Sequence, residues 1–178
     1  MCYANCAEVT LTLNDKVIGT KKLSETTNSM LRWQVPYEPG ELKAIGRSGG
    51  SNVCEYTLQT AGPASRIELL PDSTQLRADG KDVCHLEFRI VDAQSVRVPD
   101  ANAEVTFEFI GPAPLLGIVN GDVNSPDAYQ SPTHKAFRGR GLAILQSTTA
   151  AGKVVLKASA PSLESATINL EASAGKER

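Results

Sequence analysis

Paired carboxylates, histidines, an oxygen-rich loop, scattered aromatics and four cysteines are the groups in this sequence that could do chemistry. Acid–base hydrolysis by a carboxylate pair needs two carboxyls facing each other across a cleft about 5–10 Å wide. Glu104 and Glu108 alternate with Val105 and Phe107, and Glu87 alternates with Leu86 and Phe88. That parity sends all three outward along strand faces, with no partner opposite. The sequence has only two histidines, His85 and His134. His85 alternates outward on a strand and His134 falls in a Gly/Pro-rich stretch; with no G-x-S-x-G elbow, a nucleophile–base pair is not expected.

The stretch from Gly111 to Gly141 holds the remaining candidates. Asn120, Asp122, Asn124 and Asp127 alternate oxygen-bearing side chains in a pattern that suits a hard cation such as calcium. The same residues start turns by bonding their own backbone, and that reading is preferred. His134, Lys135, Arg138 and Arg140 give the stretch a positive face. A long irregular segment inside a compact domain is either functional or mobile, which makes it the place to look for a site. Trp33 shares parity with Leu31 and Val35, so it is read as a core residue. Tyr37, after Pro36, and Tyr129 are better candidates for an exposed ring. Cys2, Cys6, Cys54 and Cys84 form no C-x-x-C pair, and no histidine stands at zinc spacing. Cys54 can bond either Cys2 or Cys6 if the first and last strands of one sandwich are neighbours; otherwise all four remain free thiols.

These residues must be positioned by strands. With 41% hydrophobic and 21% charged residues, the chain has the balance of an ordinary globular protein. A net charge of -2 with interspersed signs excludes the basic surface that nucleic acid or an anionic membrane needs. Period-two alternation runs through Val9–Leu13, Leu31–Val35, Cys84–Ile90 and Val105–Phe109. Asn14-Asp15, Glu38-Pro39-Gly40, Ser48-Gly49-Gly50-Ser51 and Ala78-Asp79-Gly80-Lys81-Asp82 punctuate these runs as turns. The expected fold is all-β, two tandem immunoglobulin-like β-sandwiches. Ala61-Gly62-Pro63-Ala64 reads as the linker, dividing a module of 1–62 with about five strands from one of 63–178 with about seven. The first is near the lower size limit for its own core. Met1 opens directly onto strand-like sequence, so the natural protein is expected to extend upstream. Ala172 to Arg178 are expected to fray.

A family resemblance adds to this reading. The run Asn5 to Gly19, followed by Trp33-Gln34-Val35-Pro36-Tyr37-Glu38-Pro39-Gly40-Glu41-Leu42-Lys43-Ala44, resembles a module that follows the catalytic barrel in β-galactosidase-like members of glycoside hydrolase family 2. Arg66-Ile67-Glu68-Leu69, Ala78 to Asp82, Asn120-Gly121-Asp122, Lys135 to Gly139 and Leu142 to Ser147 are similar to the last domain of the same enzymes. The Ala78 to Asp82 step also resembles bacterial Ig-like repeats of invasin type. The resemblance implies a parent that is a retaining β-glycosidase, with its two catalytic glutamates on barrel strands outside this chain. No position here matches those motifs, so no catalytic residue is carried over.

The chain is therefore expected to be a non-catalytic C-terminal accessory region, with the upstream catalytic barrel as partner and homodimer contacts as a further option. The resemblance places the parent in the periplasm or outside a bacterial cell. The role needs no cofactor; calcium at Asn120, Asp122 and Asp127 is the one metal option. Two other classes stay open. A carbohydrate-binding module would use Tyr37, Tyr129, His134 and Arg138 as sugar contacts, and an adhesin would be an array of Ig-like repeats.

Overall fold

A computed structural model describes residues 1–174. The described residues are all strand, turn and loop apart from one 3-10 turn at Leu23–Glu25. They fall into two compact units, Met1–Thr60 and Ala61–Arg178.

In the first unit, β1 (Cys2–Tyr3) pairs antiparallel with β4 (Met30–Leu31). A four-stranded antiparallel sheet carries β2 (Glu8–Leu13), β3 (Lys16–Lys22), β5 (Glu41–Ser48) and β6 (Ser51–Gln59) in the order β3-β2-β5-β6. Asn14 and Asp15 join β2 to β3 with φ of 49° and 64°, the left-handed pair that a two-residue hairpin needs to match the strand twist. Gly49 and Gly50 do the same between β5 and β6, at 59° and 81°. Cys6, Val9 and Leu31 form a small buried cluster, against which Trp33 and Ala44 pack.

The alternation across Leu31, Trp33 and Val35 predicts a longer strand than the structure has. Only Met30 and Leu31 are paired, because their partner β1 is two residues long and the ladder ends with it. Trp33 instead lies over Gly19, with its Nε1 3.6 Å from where a side chain there would begin. It is half-buried, and Lys21 Nζ stands 5.6 Å from its ring.

The second unit is a sandwich of two sheets. One has five strands: β8 (Gln75–Arg77), β10 (Glu104–Ile110), β12 (Thr133–Lys135), β14 (Gly152–Ser159) and β15 (Ala166–Ser173), in the order β12-β10-β14-β15-β8. The other has four: β7 (Arg66–Pro71), β9 (Val83–Val91), β11 (Leu115–Val119) and β13 (Arg140–Gln146), in the order β11-β13-β9-β7. Cys84, Leu86, Phe88 and Ile90 of β9 are all fully buried, as their alternation predicts. Phe88 meets Phe107 of β10 edge-to-face, with ring centroids 5.1 Å apart. Phe88 reaches the core over Gly141, its cross-strand partner on β13, where any side chain would collide with the ring.

Two expectations change. The Gly111 to Gly141 stretch contains β11 and β12 and the first residues of β13, so much of it belongs to the sheets. Ala172 does not fray: it is buried in β15 beside Leu170, two residues away on the same face, while residues 175–178 lie outside the described residues. Within the expected linker, the Gly62 N–H donates to Asp92 Oδ2 at 2.6 Å.

Candidate functional site

Two concave surfaces, one on each unit, differ in the kind of residues that build them. On the first unit, the register places Leu11 of β2 beside Ala44 of β5, and Ala44 beside Tyr56 of β6. Leu13, Leu42 and Leu58 make the next row. These rows share one face of the sheet. Trp33, Val35 and the β1 residues cover part of it and leave a cleft of about 450 Å³. Along β6 the face is open: Tyr56 is 68% exposed and Leu58 53%. No charged side chain lines this cleft. It can bury apolar surface, and its ionisable side chains are the Cys2 thiol and the Tyr3 and Tyr56 phenols. The alternation of Cys54, Tyr56 and Leu58 along one strand was the sequence signal for it, and no candidate residue came from it.

On the second unit, the segment between β10 and β13 folds around a cavity of about 280 Å³. Asn120, Asp122, Asp127, Tyr129 and His134 all line it, so five of the expected site residues come together. Their polar atoms are largely used by the chain itself. Asn120 Oδ1 accepts from the Asp122 N–H at 2.9 Å, Asp122 Oδ1 from the Asn124 N–H at 3.0 Å, and Asp127 Oδ2 from the Lys135 N–H at 3.1 Å. This is turn and strand-end chemistry. Among the described residues no three His, Cys, Asp or Glu side chains are placed to hold a metal ion.

His134 departs from expectation. It is on β12, not in a loop, and only 2% exposed. The register pairs it with Val105, whose side chain is also buried, so its ring turns into the sandwich. Its Nδ1 is 3.4 Å from Asp127 Oδ2 without hydrogen-bond alignment, and neither ring nitrogen has a hydrogen-bond partner. His134 therefore adds nothing to the positive face, which is left to Lys135, Arg138 and Arg140, all exposed. Tyr129 is 69% exposed at the cavity mouth. Arg138 lies in the turn before β13 at φ 53°, its guanidinium 5.3 Å from the centre of the Phe137 ring. It does not line the cavity. Tyr37, 80% exposed, belongs to the first unit.

The carboxylates are arranged for structure. Glu87 accepts two hydrogen bonds from Arg89, at 2.8 and 2.7 Å, and that guanidinium holds its carboxyl below the usual range. A general acid needs the opposite displacement. Glu108 faces Lys157 at 3.5 Å, and Glu104 is exposed. His85 is exposed and its Nδ1 lies 3.0 Å from Asp72 Oδ2. Burial opposes ionisation of Asp72, but the hydrogen bonds from His85 outweigh it and the carboxyl is lowered.

Known proteins share this fold. A family model described as glycoside hydrolase family 2 C-terminal domain 5 matches residues 67–169, and a domain of unknown function (DUF4982) matches residues 1–54. The β-galactosidase BoGH2A of Bacteroides ovatus is 36% identical over 172 residues, covering 96% of this chain and 20% of that protein. A β-glucuronidase of Formosa agariphila is 29% identical over 170 residues, covering 94% of this chain and 17% of its own length. A crystal structure of a glycosyl hydrolase family 2 member from Bacteroides cellulosilyticus superposes with a TM-score of 0.89 at 30% identity, covering 96% of this chain and 22% of that one. A β-glycosidase from Bacteroides vulgatus gives 0.88 at 31% identity, over 94% and 21%. The chain thus spans about a fifth of the length of the relatives it matches. Since the domain 5 model covers more than half of its residues, the chain belongs to the glycoside hydrolase family 2 C-terminal domain 5 family.

Proposed function

We propose that this chain is a non-catalytic accessory region of a glycoside hydrolase family 2 enzyme, and that it works by packing. The parent hydrolyses a β-galactoside or a related β-glycoside in the periplasm or outside the cell. The first unit seats its open apolar face on the rest of the parent chain and helps to hold the catalytic barrel in shape. The observation that carries this reading is the face itself: Tyr56 and Leu58 stand exposed beside a cleft with no charged lining. An apolar surface of that kind is normally covered by a partner. The carboxylates support the same reading, since those with displaced pKa values, Asp72, Asp79, Glu87 and Asp92, are all displaced downward. The test is an assay of the purified chain on a chromogenic β-galactoside and a chromogenic β-glucuronide. No turnover above background is expected, and sustained turnover that scales with protein concentration overturns the proposal.

A second reading has one observation in its favour, the exposed Tyr129 ring at the mouth of the second unit's cavity. A carbohydrate-binding module would stack a sugar there. Titration with galactan-type oligosaccharides separates the two: absence of binding at millimolar ligand favours the packing role. Saturable binding abolished by Tyr129→Ala favours the binding module.

A further inference from the structure

We propose that Cys6 and Cys54 are a disulfide pair, assembled in the space left by Gly46, which locks the edge strand β6 to the segment before β2. Gly46 lies within β5, pairing with Val9 on one side and Cys54 on the other. A side chain starting at Gly46 would sit 2.5 Å from Cys54 Sγ and 2.8 Å from Cys6 Sγ, closer than real neighbours approach. Both sulfurs therefore converge on one vacant spot. Gly46 has no left-handed backbone torsion, so glycine is needed here for space and not for conformation. The two thiols come from positions far apart in sequence, and the sheet register brings them together across the strand that separates β2 from β6.

The other two cysteines are poor partners. Cys84 is in the second unit and fully buried, and burial pushes its thiol up to about 11. Cys2, on β1, is half-buried, and the three atoms nearest the vacant position at Gly46 come from Cys54 and Cys6, not from Cys2. Cys54 is the accessible member of the cluster and Cys6 the buried one.

The chemistry is thiol–disulfide exchange with a disulfide donor, either a small molecule such as glutathione disulfide or a dithiol oxidant protein. The Cys54 thiolate attacks the donor, and one donor thiolate leaves. A mixed disulfide is formed. The Cys6 thiolate then attacks the Cys54 sulfur and expels the second donor thiolate. The protein loses two protons and two electrons, and the donor is reduced to two thiols. The pairing is expected in the oxidising compartment proposed for the parent, but its test does not depend on that proposal.

The 178-residue chain is incubated with millimolar glutathione disulfide, blocked with an alkylating agent, and mapped without reduction. Trypsin leaves Cys2 and Cys6 on one peptide, so chymotryptic cleavage after Tyr3 and the Cys2→Ser and Cys6→Ser variants assign the link. The expected product joins Cys6 to Cys54, survives Cys2→Ser and is lost in Cys6→Ser, with Cys84 blocked only after denaturation. Gly46→Ala is expected to slow closure at least about tenfold, because the added methyl fills the space where the sulfurs meet. Closing a loop of roughly 50 residues should also raise the melting temperature of the first unit by about 10 °C or more. A Cys2–Cys54 or Cys2–Cys6 link, a stable glutathione adduct on Cys54 alone, or unlinked thiols after full exchange each overturn the proposal. Chymotryptic mapping of the unmodified chain separates Cys2 from Cys6 by itself, so it decides the proposal even if a variant fails to fold.

Discussion

Asp92 shows how much one side chain can organise here. It is 2% exposed, yet its carboxylate accepts the backbone N–H groups of Gly62, Gln94 and Val96 at 2.6, 2.9 and 2.9 Å. The Gly62 bond, then those from Val96 and Gln94, holds its pKa below the ordinary 3.8. Asp92→Ala leaves three backbone donors unpaired, and a fall of roughly 5–10 °C in the melting temperature of the second unit is expected. Asp79 is lowered in the same manner by the N–H groups of Lys81 and Asp82, and Glu87 by Arg89. A carboxylate whose folded pKa is depressed stabilises the fold fully above its unfolded pKa, and that stability is lost as pH falls through the folded value. Those unfolded values are 3.8 for the aspartates and 4.5 for Glu87. Thermal melts followed by circular dichroism should therefore be flat above about pH 5 and decline below about pH 4. A melting temperature constant down to pH 3 would contradict this. Asp92 was not visible as an anchor in the sequence, since nothing in Val91-Asp92-Ala93 says which backbone will turn toward it. His134 was misplaced for a related reason. A strand of three residues is too short to show parity, so the ring looked like loop chemistry when it is core.

Where strands are long and two-faced, the sequence declares them. The β9 and β10 alternations set their buried rows and came within a residue of their limits, because Leu86, Phe88, Val105 and Phe107 can be buried only in one register. Strand β11 was not legible: its pairing to β13 slips between Leu115 and Gly117, which breaks the period that would announce it. The Gly141–Phe88 pair is the element-level feature most exposed to test. Phe88 crosses from β9 above Gly141 on β13, and a methyl group on Gly141 would drive into its ring. Gly141→Ala overpacks the core where the Phe88 ring is fully enclosed. It should cost about 1–3 kcal/mol, read as a lower urea midpoint with an unchanged slope. Gly141→Ala combined with Phe88→Leu should recover part of that loss, because the collision disappears with the ring. If the single substitution is silent, the two strands are not held as closely as the structure has them.

At the scale of the whole chain, the two units differ in how completely they bury their apolar rows. The second has a sandwich core in which Phe88, Leu86, Leu145 and Leu156 are fully enclosed. The first encloses Val9 and Leu31 but leaves Tyr56 and Leu58 open on the sheet that carries Val9. This asymmetry leads to a prediction that compares this chain with the longer parent proposed for it. In the chain alone, Tyr56→Ser with Leu58→Ser removes side chains that are already mostly solvated, so thermal stability should change by less than about 0.5 kcal/mol. In the parent, if the face is seated on other parts of the protein, the same pair removes two buried apolar contacts worth about 1.5–3 kcal/mol each. The parent's melting temperature should drop while the short chain's does not, and glycosidase half-life on heating should shorten with it. The comparison isolates the seating, because loss of the first unit's own fold would lower both melting temperatures. Equal, small effects in the two contexts would mean that the face is open in the parent as well, and the accessory role would then have to be carried by a different surface.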